Sequence, residues 1–187
     1  MMQWVTLDAD LKRDTVIESF ESFIWTERYS AYGDFQIVTK STRESRAQLA
    51  IGTWITRVGS TYVALIETVE DATADDGTRN ITVSGRFLEA LFDDRVAMPS
   101  ITDTTTQPNW VITGTPGDII REMVTTVCVD GAIDPKDTIP FYHSGTLLPT
   151  GSLGEDASVI TVTAAPDTLY NTISKIATTY YLGFRLV

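Results

Sequence analysis

The chain has 187 residues, of which 43% are hydrophobic and 21% charged, with a formal net charge of −11. That length buries enough apolar surface for one large or two small domains without covalent staples, and the acidic balance argues against sequence-specific nucleic-acid binding, which needs basic side chains to neutralise phosphates. The single Cys128 excludes an internal disulfide, and with the single His143 it argues against a zinc site.

No run approaches the roughly 18 apolar residues of a membrane-spanning helix. The first residues, Met-Met-Gln-Trp-Val-Thr, lack a basic stretch followed by an apolar one, so no secretory leader is expected.

In chain order, Gln3 to Leu7 reads as a short strand and Asp8 to Asp14 as a polar turn. Val16 to Trp25 alternates imperfectly and predicts the second strand of a hairpin, running on into Thr26-Glu27-Arg28-Tyr29. Ser30 to Asp34 is a turn, and Phe35 to Thr39 a strand with Phe35 and Ile37 on one face. Lys40 to Gln48 has no apolar period and predicts a loop or a fraying helical turn. Leu49 to Val58 and Thr61 to Val69 form the strongest hairpin prediction, with Gly59 first in a two-residue turn. Ala74-Asp75-Asp76-Gly77-Thr78 is a further turn signal.

Residues 79–96 form the joint on which the chain turns. Ile81 and Val83 alternate as in a strand, Gly85 interrupts them, and Phe87, Leu88, Leu91 and Phe92 then share a helical stripe with Arg86, Glu89, Asp93 and Asp94 off it. One glycine is not a phosphate loop, so the joint reads as a strand-to-helix corner. Ala97 to Pro108 is linker-like. Trp110 to Thr113 is a strand, and a helix capped by Asp118 follows, with Ile119, Ile120, Met123, Val124 and Val127 inward. Asp130 to Gly154 is loop-rich. Val159 to Thr163 is a strand, and a third helix from Pro166-Asp167 turns Leu169, Tyr170, Ile173, Ile176, Ala177 and Tyr180 inward until Gly183 stops it. Phe184 to Val187 is expected to begin another strand, paired with residues beyond the chain end. The fold class is thus α+β, mainly antiparallel β, with a first domain over 1–98 and a linker plus second α/β subdomain over 99–187.

Three groups of residues invite a chemical reading. Glu67, Glu70, Asp71, Asp75 and Asp76 could serve a calcium site or a glycosidase pair, but they fall where a solvated hairpin loop is expected. His143 beside Ser144 lacks the acid and the nucleophile elbow of a triad. Trp25, Trp54, Trp110, Tyr29 and Tyr32 could stack on sugars or fill a β core. None of these rises to an enzyme assignment; no catalytic, cofactor or metal residue is expected.

Two stretches carry a family resemblance. Trp25-Thr-Glu-Arg28-Tyr29-Ser-Ala-Tyr-Gly33-Asp-Phe35 and Ile81-Thr-Val-Ser-Gly85-Arg86-Phe-Leu88-Glu-Ala-Leu91-Phe-Asp-Asp-Arg95 resemble minor tail proteins of tailed phages, of the Gp37-like, tail-associated-lysin or baseplate-hub group; Tyr181-Leu-Gly183-Phe-Arg185 resembles a later helix end. The resemblance makes Trp25, Tyr29, Gly33, Phe35, Gly85, Arg86, Leu88, Leu91, Arg95 and Gly183 framework positions. It implies β-barrel domains related to the tail-tube fold, and a homotrimeric ring at the virion tail tip. Its implied partners are a distal tail protein ring, the tape measure protein and further tail-tip or receptor-binding proteins. It places any lytic activity in C-terminal regions outside this chain, and makes the acids of Glu67 to Asp76 and Asp93-Asp94 available to line a DNA channel. A carbohydrate- or receptor-binding module is the alternative reading.

Overall fold

A computed structural model describes residues 3–73, 77–99, 109–129, 138–139 and 158–186. The chain divides into two compact units, Met1–Glu89 with Arg185–Val187, and Ala90–Phe184. The acidic positions Asp75 and Asp76, most of the linker, and His143 with Ser144 lie outside the described residues.

The first unit is a seven-stranded antiparallel sheet. Its strands are β1 (Trp4–Leu7), β2 (Arg13–Ile17), β3 (Ser22–Thr26), β4 (Asp34–Lys40), β5 (Trp54–Arg57), β6 (Val63–Thr73) and β7 (Arg79–Phe87), in the spatial order β2-β1-β5-β6-β7-β4-β3. Period-2 alternation sends Phe35 and Ile37 of β4, Ala64 and Ile66 of β6, and Ile81, Val83 and Phe87 of β7 into one core with Trp4 and Ile55. Five ladders separate β1 from β3, so a flat sheet would hold them roughly 24 Å apart. Yet the Trp4 ring on β1 stacks on Phe23 of β3 with centroids 3.8 Å apart, and lies 4.9 Å from Trp25. The sheet is therefore rolled until its two ends share aromatic side chains. Among the described residues no backbone ladder joins β2 to β3, so the roll is not hydrogen-bonded into a closed barrel.

The predicted single strand over Val16 to Trp25 is two strands. β2 pairs with β1 and β3 with β4, at opposite edges of the sheet. The stretch Glu18-Ser19-Phe20-Glu21, outside either strand, carries the chain between them. The Lys40–Gln48 stretch resolves into α1 (Arg43–Gln48), started by a reciprocal cap in which Thr42 and Ser45 satisfy each other's backbone amides. Gln48 Nε2 donates to the Val16 carbonyl of edge strand β2 at 2.8 Å, and buried Leu49 enters the core.

The strand predicted over Leu49 to Val58 begins only at Trp54, because a turn closed by Thr53 N donating to Ala50 O, with Gly52 at φ +88, precedes it. Gly59 is likewise not first in its turn. Ser60 N donates to Arg57 O, so Gly59 at φ +84 is the third residue, the place where a type II turn requires positive φ.

After β7 the chain enters a 3-10 helix, Leu88–Asp94, rather than an α-helix. Three residues per turn align Glu89 with Phe92. Glu89 and Phe92 are accordingly buried, and Leu91 is left half-buried, which reverses the predicted stripe at Glu89 and Leu91.

The second unit pairs β8 (Trp110–Gly114) with β9 (Ile160–Ala164), antiparallel, and packs α2 (Pro116–Cys128) with α3 (Leu169–Thr179). Thr115, not Asp118, caps α2: its hydroxyl accepts from Asp118 N and donates to the Asp118 carboxylate. Thr168 caps α3. The inward faces are Ile119, Met123, Val124 and Val127, and Leu169, Ile173, Ile176 and Ala177. Tyr180 is exposed instead, because α3 ends at Thr179, before Gly183. Leu182 N donates to Ala177 O and Tyr181 N to Thr178 O around Tyr181 at φ 57, so a tyrosine occupies the left-handed position that closes the helix. Residues 182–186 form no strand, contrary to the expectation for Phe184 to Val187.

Candidate functional site

The resembling residues of the first unit meet along one seam through β3, β4, β7 and β6. On β6 the register shifts between Ile66, opposite Gly85, and Thr68, opposite Ser84, so Glu67 is an extra, bulged residue. A bulge pushes backbone toward its partner strand. Here the Leu65 carbonyl occupies the space a side chain at residue 85 would need, which is why the strand carries glycine there. Phe35 is the cross-strand neighbour of Gly85 on the other side.

Arg86 then fastens the bulge. Its Nε lies 3.0 and 2.9 Å from the two Glu67 carboxylate oxygens and its Nη2 2.7 Å from Oε1, a bidentate grip that a point charge could not make. The guanidinium also lies 5.1 Å over the Tyr32 ring. The bond to Glu67 holds its pKa well above the ordinary range, against a partial loss of hydration. Next along β7, Phe87 N donates to Gly33 O at 3.0 Å, while the Phe87 ring and the Thr26 carbonyl fill the space above Gly33 where a Cβ would stand. Trp25 closes the seam with its ring 4.4 Å from Phe87 and its Nε1 donating to Glu27 at 3.1 Å.

Trp25, Gly33, Phe35, Gly85 and Arg86 are thus brought together, and Leu88 is buried at their end. Tyr29 is not; it is 73% exposed. Leu91 and Arg95 belong to the second unit, where Arg95 Nη1 donates to Leu91 O at 2.7 Å and the Arg95 carbonyl accepts from Leu169 N at 2.7 Å. Gly183 is exposed beyond α3.

Of the acids predicted to share a loop, Glu67, Glu70 and Asp71 lie on β6 itself. Glu67 is held by Arg86 and Asp71 by Arg46 of α1, so these two are turned toward separate arginines rather than one another. Among the described residues no group of three or more His, Cys, Asp or Glu side chains converges as metal ligands would. The aromatics disperse as well: Trp110 is buried within the second unit, Trp25 packs in the core, and Tyr32 lies beneath Arg86. Trp54 lines a cleft of about 690 Å³ with Leu7, Asp8, Asp14, Glu44 and Gln48, between α1 and the β1–β2 hairpin.

Sequence reasoning missed Glu89. The residue is 3% exposed, its Oε1 accepts from Leu186 N at 2.9 Å, and burial pushes its pKa up.

The fold and the seam together define a sheet-based framework protein, in which motif residues hold backbone rather than expose reactive atoms. The chain belongs to the Siphovirus ReqiPepy6 Gp37-like protein family, whose model matches residues 4–187. Its fold is similar to that of the tail protein from Neisseria meningitidis MC58, with a TM-score of 0.55 and 15% identity over 99% of this chain and 47% of that one. The chain therefore spans about half the length of that tail protein, and at this identity the likeness concerns the fold. No curated protein matches the chain. Family membership supports a structural role in a siphovirus tail.

Proposed function

We propose that the chain is a structural hub subunit of the tail tip. In this reading it forms a homotrimeric ring that closes or continues the tail tube and anchors a distal tail protein ring, the tape measure protein and further tail-tip components. The observation that carries the reading is the family match over nearly the whole chain. The fold likeness to a tail protein over 99% of the chain supports it, as does the use of the motif residues to hold a rolled sheet. An edge strand, β3, with Ile24 exposed suits pairing across a ring. Native mass spectrometry of the full-length protein, with cryo-EM of the virion tail, tests this. Trimers and a ring at the tip support it; a strict monomer in solution and a single copy in the virion overturn it.

The same reading assigns the chain no catalysis. Incubation with peptidoglycan is expected to release no soluble fragments by mass spectrometry; release abolished by Asp75→Ala reverses that assignment. A second reading, a carbohydrate- or receptor-binding module, is favoured by the cleft beside Trp54. Glycan binding by a monomer that Trp54→Ala removes would favour it over the hub.

A further inference from the structure

The chain leaves the first unit after Glu89 and returns to it at Arg185. One buried side chain joins these two crossing points. Glu89 Oε1 accepts the Leu186 N–H at 2.9 Å, 97 residues away in sequence, while Glu89 Oε2 is buried with no hydrogen-bond partner. Arg185 lies with its guanidinium 4.8 Å over the Tyr62 ring, so the returning segment has a second foothold on the same unit. We infer that Glu89 is a proton-controlled latch that pins residues 185–186 to the first unit, tight when the carboxyl is protonated and loosened when it ionises.

The chemistry follows from the two oxygens. In the neutral acid Oε1 still accepts from Leu186 N–H, and the proton on Oε2 removes a buried charge. In the ionised form the carboxylate is held by its own backbone N–H, the bond from Leu186 strengthens, and Arg185, on the returning segment, attracts it. Those three effects favour ionisation, but burial, with one oxygen sealed from water and given no donor, outweighs them. Burial is the dominant influence and raises the folded pKa above its unfolded value. The stability this group contributes is therefore fully present below the ordinary carboxylate range and is lost as pH rises through the raised folded value.

Amide exchange at Leu186 in the full-length protein, corrected for the intrinsic dependence of exchange on pH, tests the latch. Leu186 protection in the native protein is expected to fall as pH rises. Glu89→Gln keeps an acceptor oxygen and the shape but cannot titrate, so its protection should be high and independent of pH across that interval. Glu89→Ala should exchange Leu186 roughly tenfold faster in acid, the scale of one lost hydrogen bond. Native-like pH dependence in Glu89→Gln overturns the proposal, as does unchanged Leu186 protection in a folded Glu89→Ala. Should Glu89→Ala not fold, the Glu89→Gln profile decides alone.

Discussion

Two glycines stand in strands that lead into a helical segment, Gly85 within β7 and Gly114 at the end of β8, and they are there for different reasons. At Gly85 the Leu65 carbonyl of a bulged neighbour fills the place of a side chain. At Gly114 an added Cβ would meet Ile119 at 3.6 Å and Asp118 at 3.8 Å, ordinary van der Waals contact. The first glycine is demanded by another strand brought alongside it by the sheet. The second merely precedes a capped helix whose start is set by Thr115 and Pro116. A glycine in a strand that leads into a helix therefore carries a tertiary constraint in one unit and almost none in the other.

The largest expected effect is at the first joint. Gly85→Val should cost more than about 4 kcal/mol, enough to threaten folding, because backbone rather than a flexible side-chain end must move. Denaturant unfolding measures it, and a loss under about 1 kcal/mol would mean the bulge can slide.

In the second unit the equivalent sensitivity should lie in side-chain packing. Ile173 is fully buried on α3, so Ile173→Ala is expected to cost roughly 2–5 kcal/mol in the same assay. Leu91, which the sequence placed on the apolar stripe, should cost less on truncation because it is only half-buried.

A smaller effect separates geometry from charge at the seam. Arg86→Lys keeps the positive charge but loses the two-pronged grip on Glu67. With both side chains about one-third exposed, the expected loss is about 1 kcal/mol. A melting temperature equal to that of the native chain would show that the bidentate geometry adds nothing. The smallest effect is predicted for Gly114→Ala, within about 0.5 kcal/mol of the native chain. A large loss there would erase the contrast between the two joints.

Much of the strand and helix content was legible along the chain. Phe35 with Ile37, and Ile81 with Val83, alternate strongly enough to fix a strand and its buried face, and the stripes of α2 and α3 are clear at helical spacing. The turn at Gly59 was legible as a turn but not in its register, because a positive-φ glycine fits the second or the third place in a turn and only the hydrogen bond from Ser60 N to Arg57 O decides. The split of Val16 to Trp25 was not legible. Both halves are β-prone, and nothing local says that one belongs at each edge of a seven-stranded sheet.

By itself, the sequence determined the α+β class, the mostly antiparallel sheet, the lack of a disulfide within the chain, and the residues that mark its family, because those depend on composition, period and short motifs. Only the tertiary structure decided what the motif residues do. Gly85 is silent until a bulge at Glu67 brings the Leu65 carbonyl against it, Arg86 becomes a clasp because that bulge presents a carboxylate, and Glu89 becomes a buried acid because the 3-10 turn points it inward. Each depends on partners between 19 and 97 residues distant, and local propensity carries no information about which distant backbone will arrive.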